Sequence, residues 1–142
     1  MAEVSAQARI PAPAEKVWHT LTDSNPHTQW STTHTGFPDG GPEPLEAGAT
    51  YREDMKLMGF PVVVNWEVTS VDPGRGFEIA GKGPMAVDLL TRHSLTPDGD
   101  RTDVRIEGSF NGAAVALMAG KLKDTATAAL NGSLRKLAGL VL

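Results

Sequence analysis

Residues Asn111–Leu140 read NGAAVALMAGKLKDTATAALNGSLRKLAGL, and no other segment constrains the architecture as strongly. Apolar residues recur there every three or four positions, which places them on one stripe of a helix about 40 Å long. Asn111 is a suitable N-cap for this helix. A long helix after a run of strands predicts a curved sheet wrapped around it, with a cavity between the two. The stripe consists of Val115, Met118, Leu122, Ala126, Leu130, Leu134, Leu137 and Val141.

The rest of the chain alternates mostly in the manner of half-buried strands. Hairpin-length turns between consecutive strands require an antiparallel sheet. Two short helices are predicted after the first strand, the first beginning near Pro13 and the second ending near Trp30. Including a short strand near Thr32–Phe37, the predicted strands cover residues 4–10, 32–37, 51–57, 62–68, 77–79, 87–95 and 104–110. The pattern predicts one α+β domain over residues 1–142.

Composition narrows the class of protein. The 142 residues include no cysteine, which excludes disulfides, thiolate zinc sites and cysteine nucleophiles. The net charge of -4 and the scattered basic residues argue against nucleic-acid binding. No stretch is long and apolar enough for membrane insertion, and no signal peptide is visible, so a cytoplasmic location is expected.

Several segments together resemble a known family. These segments are Ile10–Trp18, Leu21–Asp23 with the later Trp30, Trp66–Pro73 and Leu95–Gly99. Their order and spacing are similar to the START-like (Bet v 1-like, SRPBCC) superfamily, which includes polyketide cyclases/dehydrases and aromatases, Bet v 1-type allergens and plant abscisic acid receptors. The resemblance implies a helix-grip fold, in which a curved seven-stranded antiparallel sheet surrounds a long C-terminal helix. The chain also looks similar to an actinobacterial branch described in places as toxins of type II toxin–antitoxin pairs.

Glu53 is the most informative polar residue. Strand alternation places it on the same face as Tyr51, Met55 and Leu57, which is the face predicted to line the cavity. Burial of a carboxylate raises its pKa, so Glu53 is a candidate general acid or ligand anchor. The alternative is a bulge that shifts the alternation and turns Glu53 to solvent.

His93 shares a strand face with Leu89, Thr91 and Leu95. It is a second candidate acid, base or hydrogen-bond donor to a ligand, and the alternative is a core histidine with an ordinary partner. Two strands are expected between Glu53 and His93, which excludes direct proton transfer but lets them hold opposite ends of one ligand.

The predicted ligand-binding wall combines the strand faces with the N-terminal part of the long helix. Ordinary core packing is the alternative for its aromatic and methionine members. The histidines His19, His27 and His34 show no metal-ligand spacing, so neither a metal nor a cofactor is expected. The wall consists of Tyr51, Glu53, Met55, Trp66, Thr91, His93, Val115 and Met118.

The turn Met58–Gly59–Phe60–Pro61 is apolar where turns are usually polar. It is similar to the gate loop of abscisic acid receptors, with Phe60 in place of their leucine. A gate over the cavity, a homodimer contact or a protein partner would each use this tip. The alternative is a tip folded back onto the long helix.

Three functions are compatible with the sequence. The first is a carrier or sensor that binds a small hydrophobic molecule, such as a lipid, a polyketide-like compound or an aromatic. The second is a polyketide cyclase, aromatase or dehydratase that uses Glu53 or His93. The third is a toxin or another protein-partner role, which needs an exposed interface, and in the sequence only the Phe60 tip suggests one. The long helix carries no candidate catalytic group, which favours binding over catalysis.

Overall fold

A computed structural model describes residues 2–23, 26–42, 45–57 and 60–141 of the chain. It contains three α-helices and seven strands among these residues. The strands are β1 (Ala2–Ile10), β2 (His34–Gly36), β3 (Thr50–Leu57), β4 (Phe60–Asp72), β5 (Gly76–Lys82), β6 (Asp88–Asp98) and β7 (Arg101–Asn111). The helices are α1 (Ala14–Thr22), α2 (His27–Trp30) and α3 (Ala113–Val141), and a 3-10 turn covers Pro84–Ala86.

The strands form one antiparallel sheet in the order β1-β7-β6-β5-β4-β3-β2. Consecutive strands from β2 to β7 are neighbours because their connections lead directly back along the sheet. β1 pairs with β7 over its full length, from Ala2 opposite Phe110 to Ile10 opposite Thr102. This arrangement confirms the predicted helix-grip α+β fold.

The C-terminal half of α3 packs on the sheet. Leu134, Leu137 and Val141 are almost fully buried, as the apolar stripe predicts. They join a core cluster with residues of β1, α1, β6 and β7, including Ile10 and Val17. A second cluster is centred on Val64 and neighbouring residues of β4, β5 and β6. The first cluster holds α3 against the sheet, mainly at β1, and the second lies farther along the sheet among β4, β5 and β6.

The start of α3 differs from the sequence prediction. Asn111 is still paired with Asp88 in the sheet, and the helix begins at Ala113, so the N-cap expected at Asn111 is wrong. Gly112 makes the corner with a φ of 146°, a conformation that other residues rarely adopt. A side chain at Gly112 would also place its Cβ 3.1 Å from the carbonyl oxygen of Ala86.

The α2 segment is attached to α3 by Thr32. The Thr32 backbone N–H donates to Oγ of Ser133 at 3.0 Å, and the Thr32 hydroxyl donates to the carbonyl of Ala129 at 2.9 Å. These bonds fix the chain between His27 and His34 against the helix. Within the described residues, no helix is long and apolar enough to span a membrane.

Candidate functional site

The sheet, α2 and α3 enclose a cavity of about 540 Å³. Most of its wall is apolar, and members of both core clusters contribute to it, such as Ile106 and Trp66. Alternate residues of β3 face it, as expected for a strand with one covered side. Six residues of the predicted ligand-binding wall line this cavity: Tyr51, Glu53, Met55, Trp66, Thr91 and His93.

The α3 part of the predicted wall gives a different outcome. The side chains of Val115 and Met118 lie outside the described residues, so their place in the wall stays a prediction. The described α3 residues that line the cavity come from further along the helix, between Thr125 and Ser133.

Glu53 is buried, with 6% of its surface exposed. Its Oε1 accepts a hydrogen bond from Nε1 of Trp66 at 2.9 Å. Its Oε2 lies 2.6 Å from Nδ1 of His34 and 3.4 Å from Nε2 of His27. Both carboxylate oxygens therefore already have polar partners among neighbouring side chains.

The pKa of Glu53 shifts in the direction opposite to the expected one. Burial raises the pKa of its carboxyl group, but hydrogen bonds from His27 and His34 and their charges outweigh burial and lower that pKa to about 2. The prediction of a raised pKa is therefore wrong. Glu53 is ionised at neutral pH, when it can anchor a positive group or a metal but has no proton to give as a general acid. Burial and the nearby Glu53 charge raise the pKa of Tyr51, so its hydroxyl stays protonated.

His93 lies deep in the sheet side of the cavity. Its ring stacks on Phe77 with centroids 4.3 Å apart and an interplanar angle of 13°. Burial, with a smaller contribution from His27, lowers its pKa to about 3, against the opposing effect of Glu53. The imidazole is therefore neutral at physiological pH. Its Nδ1 is buried and has no hydrogen-bond partner among the described residues, which argues against a core histidine with both nitrogens paired.

Trp30 provides a second unpartnered polar atom. Its side chain lines the cavity, and its Nε1 is buried without a hydrogen-bond partner in the described part of the chain. Sequence reasoning used Trp30 only as a family marker, because a tryptophan at the end of a short helix carries no signal for its indole N–H. An unpaired buried donor costs about 1–3 kcal/mol.

His93 and Glu53 lie on different strands of the sheet. β4 and β5 separate β3, which carries Glu53, from β6, which carries His93. This spacing agrees with the expectation that the two groups face different parts of the cavity. Two neighbouring strands are about 4.8 Å apart, so three steps exclude direct proton transfer between these side chains.

His27, His34 and Glu53 meet beside the cavity, which His27 and Glu53 line. One ligating atom from each lies within 4.8 Å of those of the other two. The spacing of these histidines along the chain gives no sign of this set. The set is assembled from α2, β2 and β3, and no spacing rule covers residues brought together by three separate elements.

The apolar turn proposed as a gate is only partly described. Met58 and Gly59 lie outside the described residues, as does the side chain of Phe60. Pro61 is exposed in β4. The gate, the homodimer contact and the protein partner at this tip stay predictions.

Comparisons with known proteins extend over nearly the whole chain. The structure is similar to that of a Chromobacterium violaceum protein, with a TM-score of 0.79, 17% identity, and coverage of 98% of this chain and 96% of that one. It is also similar to the Zhui aromatase/cyclase from a Streptomyces species, with a TM-score of 0.77, 16% identity, and coverage of 98% and 92%.

A third similar structure is DynU16, from the dynemicin biosynthetic locus. The TM-score is 0.74 at 20% identity, and the match covers 99% of this chain but 47% of DynU16, so this chain spans about half of that protein. At these identities the likenesses show the fold. A search of curated proteins finds no significant match.

One sequence comparison identifies the family. The family model described as polyketide cyclase / dehydrase and lipid transport matches residues 1–141. None of these comparisons supports a role in a toxin–antitoxin pair. Because the match extends over the whole fold, the chain belongs to the polyketide cyclase / dehydrase and lipid transport family, within the START-like (SRPBCC) superfamily.

Proposed function

We propose that this protein binds a small, flat, hydrophobic ligand that carries an oxygen acceptor, and that it acts as a carrier or sensor of that ligand. The observation that carries the proposal is the pair of unpartnered buried atoms, Nε1 of Trp30 and Nδ1 of His93, on residues of an otherwise mostly apolar wall. A ligand oxygen or hydroxyl at either atom would supply the missing hydrogen bond.

The size of the cavity suits this class of ligand. Its volume of about 540 Å³ is within the range of small-molecule sites, roughly 300–1,000 Å³. The aromatic rings of Trp66, Phe77 and Phe110 contribute to the wall and favour a planar ligand. Polyketide-like compounds, which the family description suggests, belong to this class of ligand.

The chemistry of the polar groups favours binding over catalysis. Glu53 is ionised and fully engaged, and His93, with a pKa of about 3, is a weak base. Proton transfer is most efficient when the pKa of the catalytic group is near the working pH. Both groups are far from that condition.

A cyclase, aromatase or dehydratase is the second candidate. The family match and the likeness to an aromatase/cyclase support it, and the unpartnered His93 is the group in the described cavity that such a reaction would use. Turnover that disappears in a His93→Phe variant, with ligand binding retained, would replace the carrier function by this one.

The experiment is a thermal-shift screen of lipids, aromatic hydrocarbons and aromatic ketones. Fluorenone and fluorene form a matched pair in the panel, because they differ by one carbonyl group on the same flat ring system. A ligand at a hundred times its dissociation constant adds about 2.7 kcal/mol to the free energy of unfolding. We expect fluorenone to stabilise the protein more than fluorene does.

The preference for the carbonyl is assigned by variants. Trp30→Phe and His93→Phe each keep a ring and remove its N–H or nitrogen, and at least one should weaken fluorenone binding about tenfold. Trp18→Phe is the matched control, since Trp18 packs on Phe77 but is not itself a residue of the cavity wall. No stabilisation by any compound of the panel, or a carbonyl preference unchanged in both variants, would contradict the proposal.

A further inference from the structure

We propose that His27, His34 and Glu53 bind a divalent first-row transition-metal ion, with Zn²⁺ as the reference ion, at the edge of the cavity. This inference goes beyond the proposed ligand binding and does not depend on it. Two imidazoles and one carboxylate are the protein ligands of many open zinc sites, and of iron sites that leave positions free for a ligand.

The distances fit such an ion with a small adjustment. Two ligands at about 2.0–2.1 Å from tetrahedral zinc are ~3.3 Å apart. Nε2 of His27 lies 3.4 Å from Oε2 of Glu53, close to that separation. Nδ1 of His34 lies 2.6 Å from the same oxygen, as expected when a proton joins them. The ion would replace this proton, and a small turn of the carboxylate would move the two atoms apart.

Burial and ring contacts hold the three side chains in place without an ion. The side chains of His34 and Glu53 are 2% and 8% exposed, and that of His27 is 21% exposed. The His27 and His34 rings contact each other edge to face, with centroids 4.4 Å apart, and both contact Phe37. Locked ring positions of this kind reduce the entropy that metal binding would otherwise lose.

The outer contacts also match a metal site. Nε1 of Trp66 donates to Oε1 of Glu53, which leaves Oε2 to face the two histidines. Hydrogen bonds to ligating carboxylates commonly orient them in metal proteins. A divalent ion with one carboxylate and two neutral imidazoles has a net charge of +1, so an anionic oxygen of a cavity ligand could complete the set.

The opening of the site faces the cavity. His27 and Glu53 both line the cavity, whereas His34 lies behind them. A bound ion would therefore have one side toward the protein and its free positions toward the cavity. The structure thus assigns this part of the cavity wall to a ligand oxygen, beside Trp30, whose ring contacts that of His27 with centroids 4.6 Å apart.

The test uses untagged full-length protein, stripped with a chelator and kept free of apolar ligands. Calorimetric titration with ZnCl₂ should give one ion per chain for the wild type. His27→Gln and His34→Gln should each weaken binding at least about tenfold. His19→Gln is the matched control, because His19 is an exposed histidine of α1 outside the cluster, and its binding should equal that of the wild type.

A second measurement does not depend on variants that fold. Addition of Co²⁺ to the wild type should produce the intense visible absorption of four- or five-coordinate cobalt, which Zn²⁺ then removes. Wild type that binds neither ion, only the weak spectrum of hydrated cobalt, or Zn²⁺ binding unchanged in both cluster variants would overturn the proposal. Because no apolar ligand is present, each of these failures leaves the proposed ligand binding untouched.

Discussion

Gly81 leaves the space that the indole of Trp66 occupies. The two residues are directly opposite each other on β5 and β4, and a Cβ built on Gly81 would lie 2.6 Å from Cε3 of the Trp66 ring. No real Cβ fits at that distance. The missing side chain lets the indole lie flat over the sheet, from where its N–H reaches Glu53. A glycine near the end of β5 thus positions the carboxylate of the candidate site.

Gly81→Ala should therefore destabilise the fold and displace Trp66. Overpacking of this kind costs about 1–3 kcal/mol, to be measured as the free energy of unfolding in urea. The control is Gly139→Ala on α3, where a Cβ meets nothing within 4 Å and alanine should stabilise the helix by roughly 0.5–1 kcal/mol. Equal effects of the two substitutions would show that the Trp66 ring does not depend on Gly81.

Replacing Glu53 tests the hydrogen-bonded cluster without the metal. Glu53→Gln keeps the shape and one acceptor for Trp66 but removes the charge that faces His27 and His34. Hydrogen bonds to charged groups contribute about 1.5–3 kcal/mol, so a loss of that size is expected in chelator at neutral pH. Glu67→Gln, on an exposed position of β4, should change stability by less than about 0.5 kcal/mol. A loss of similar size in both variants would contradict the cluster.

Because of His93, the free energy of unfolding should decrease at acidic pH. Its pKa is about 3 in the fold, against 6.5 without perturbation, so below 6.5 the unfolded chain takes up a proton that the folded imidazole does not. Stability from the neutral ring is complete above pH 6.5 and declines toward pH 3, by up to about 1.4 kcal/mol per pH unit. The charged group Glu53 opposes this effect and His27 adds to it.

The measurement is urea unfolding of wild type and His93→Phe across this pH window. The stability of the wild type relative to the variant should decrease as the pH falls. A difference that stays constant from pH 6.5 downward would mean that His93 takes up its proton equally in the folded and unfolded states.

Thr32 should couple the α2 segment to α3. Thr32→Val removes the hydroxyl that donates to the carbonyl of Ala129 and contacts Oγ of Ser133, while the shape is nearly conserved. We expect a loss of about 1 kcal/mol in the free energy of unfolding. Thr127→Val is the matched control, because its hydroxyl donates within α3, to the carbonyl of Lys123. If both variants lose the same stability, the Thr32 contacts do not fasten this segment.

Much of the fold could be predicted because strand alternation and helix periodicity are local. The faces of β3 and β6 follow from alternate residues, and so Glu53 and His93 were both placed on the covered side of the sheet. The stripe through Leu134 and Leu137 follows from a repeat of three or four.

The polar chemistry could not be predicted in the same way. His27 and His34 reach Glu53 from α2 and β2, and their approach depends on how a short helix and its loops pack. Strand alternation reveals the burial of Glu53, which raises its pKa, but it does not reveal the two histidines that lower this pKa. The unpartnered Nε1 of Trp30 was missed because hydrogen-bond satisfaction is a property of the packed structure.

The most direct test of ligand recognition in the cavity is a ligand titration followed by proton–nitrogen correlation spectra, in which each tryptophan indole N–H gives one signal. The chain has three tryptophans, and their signals can be assigned from the Trp18→Phe, Trp30→Phe and Trp66→Phe variants. The titrant is the aromatic ketone that stabilises the protein most. The account predicts that the ketone shifts the indole signal of Trp30 downfield, the ring signals of His93, or both, as these groups gain a partner, with Trp18 nearly unchanged. A bound ketone that leaves the signals of both Trp30 and His93 in place would contradict it.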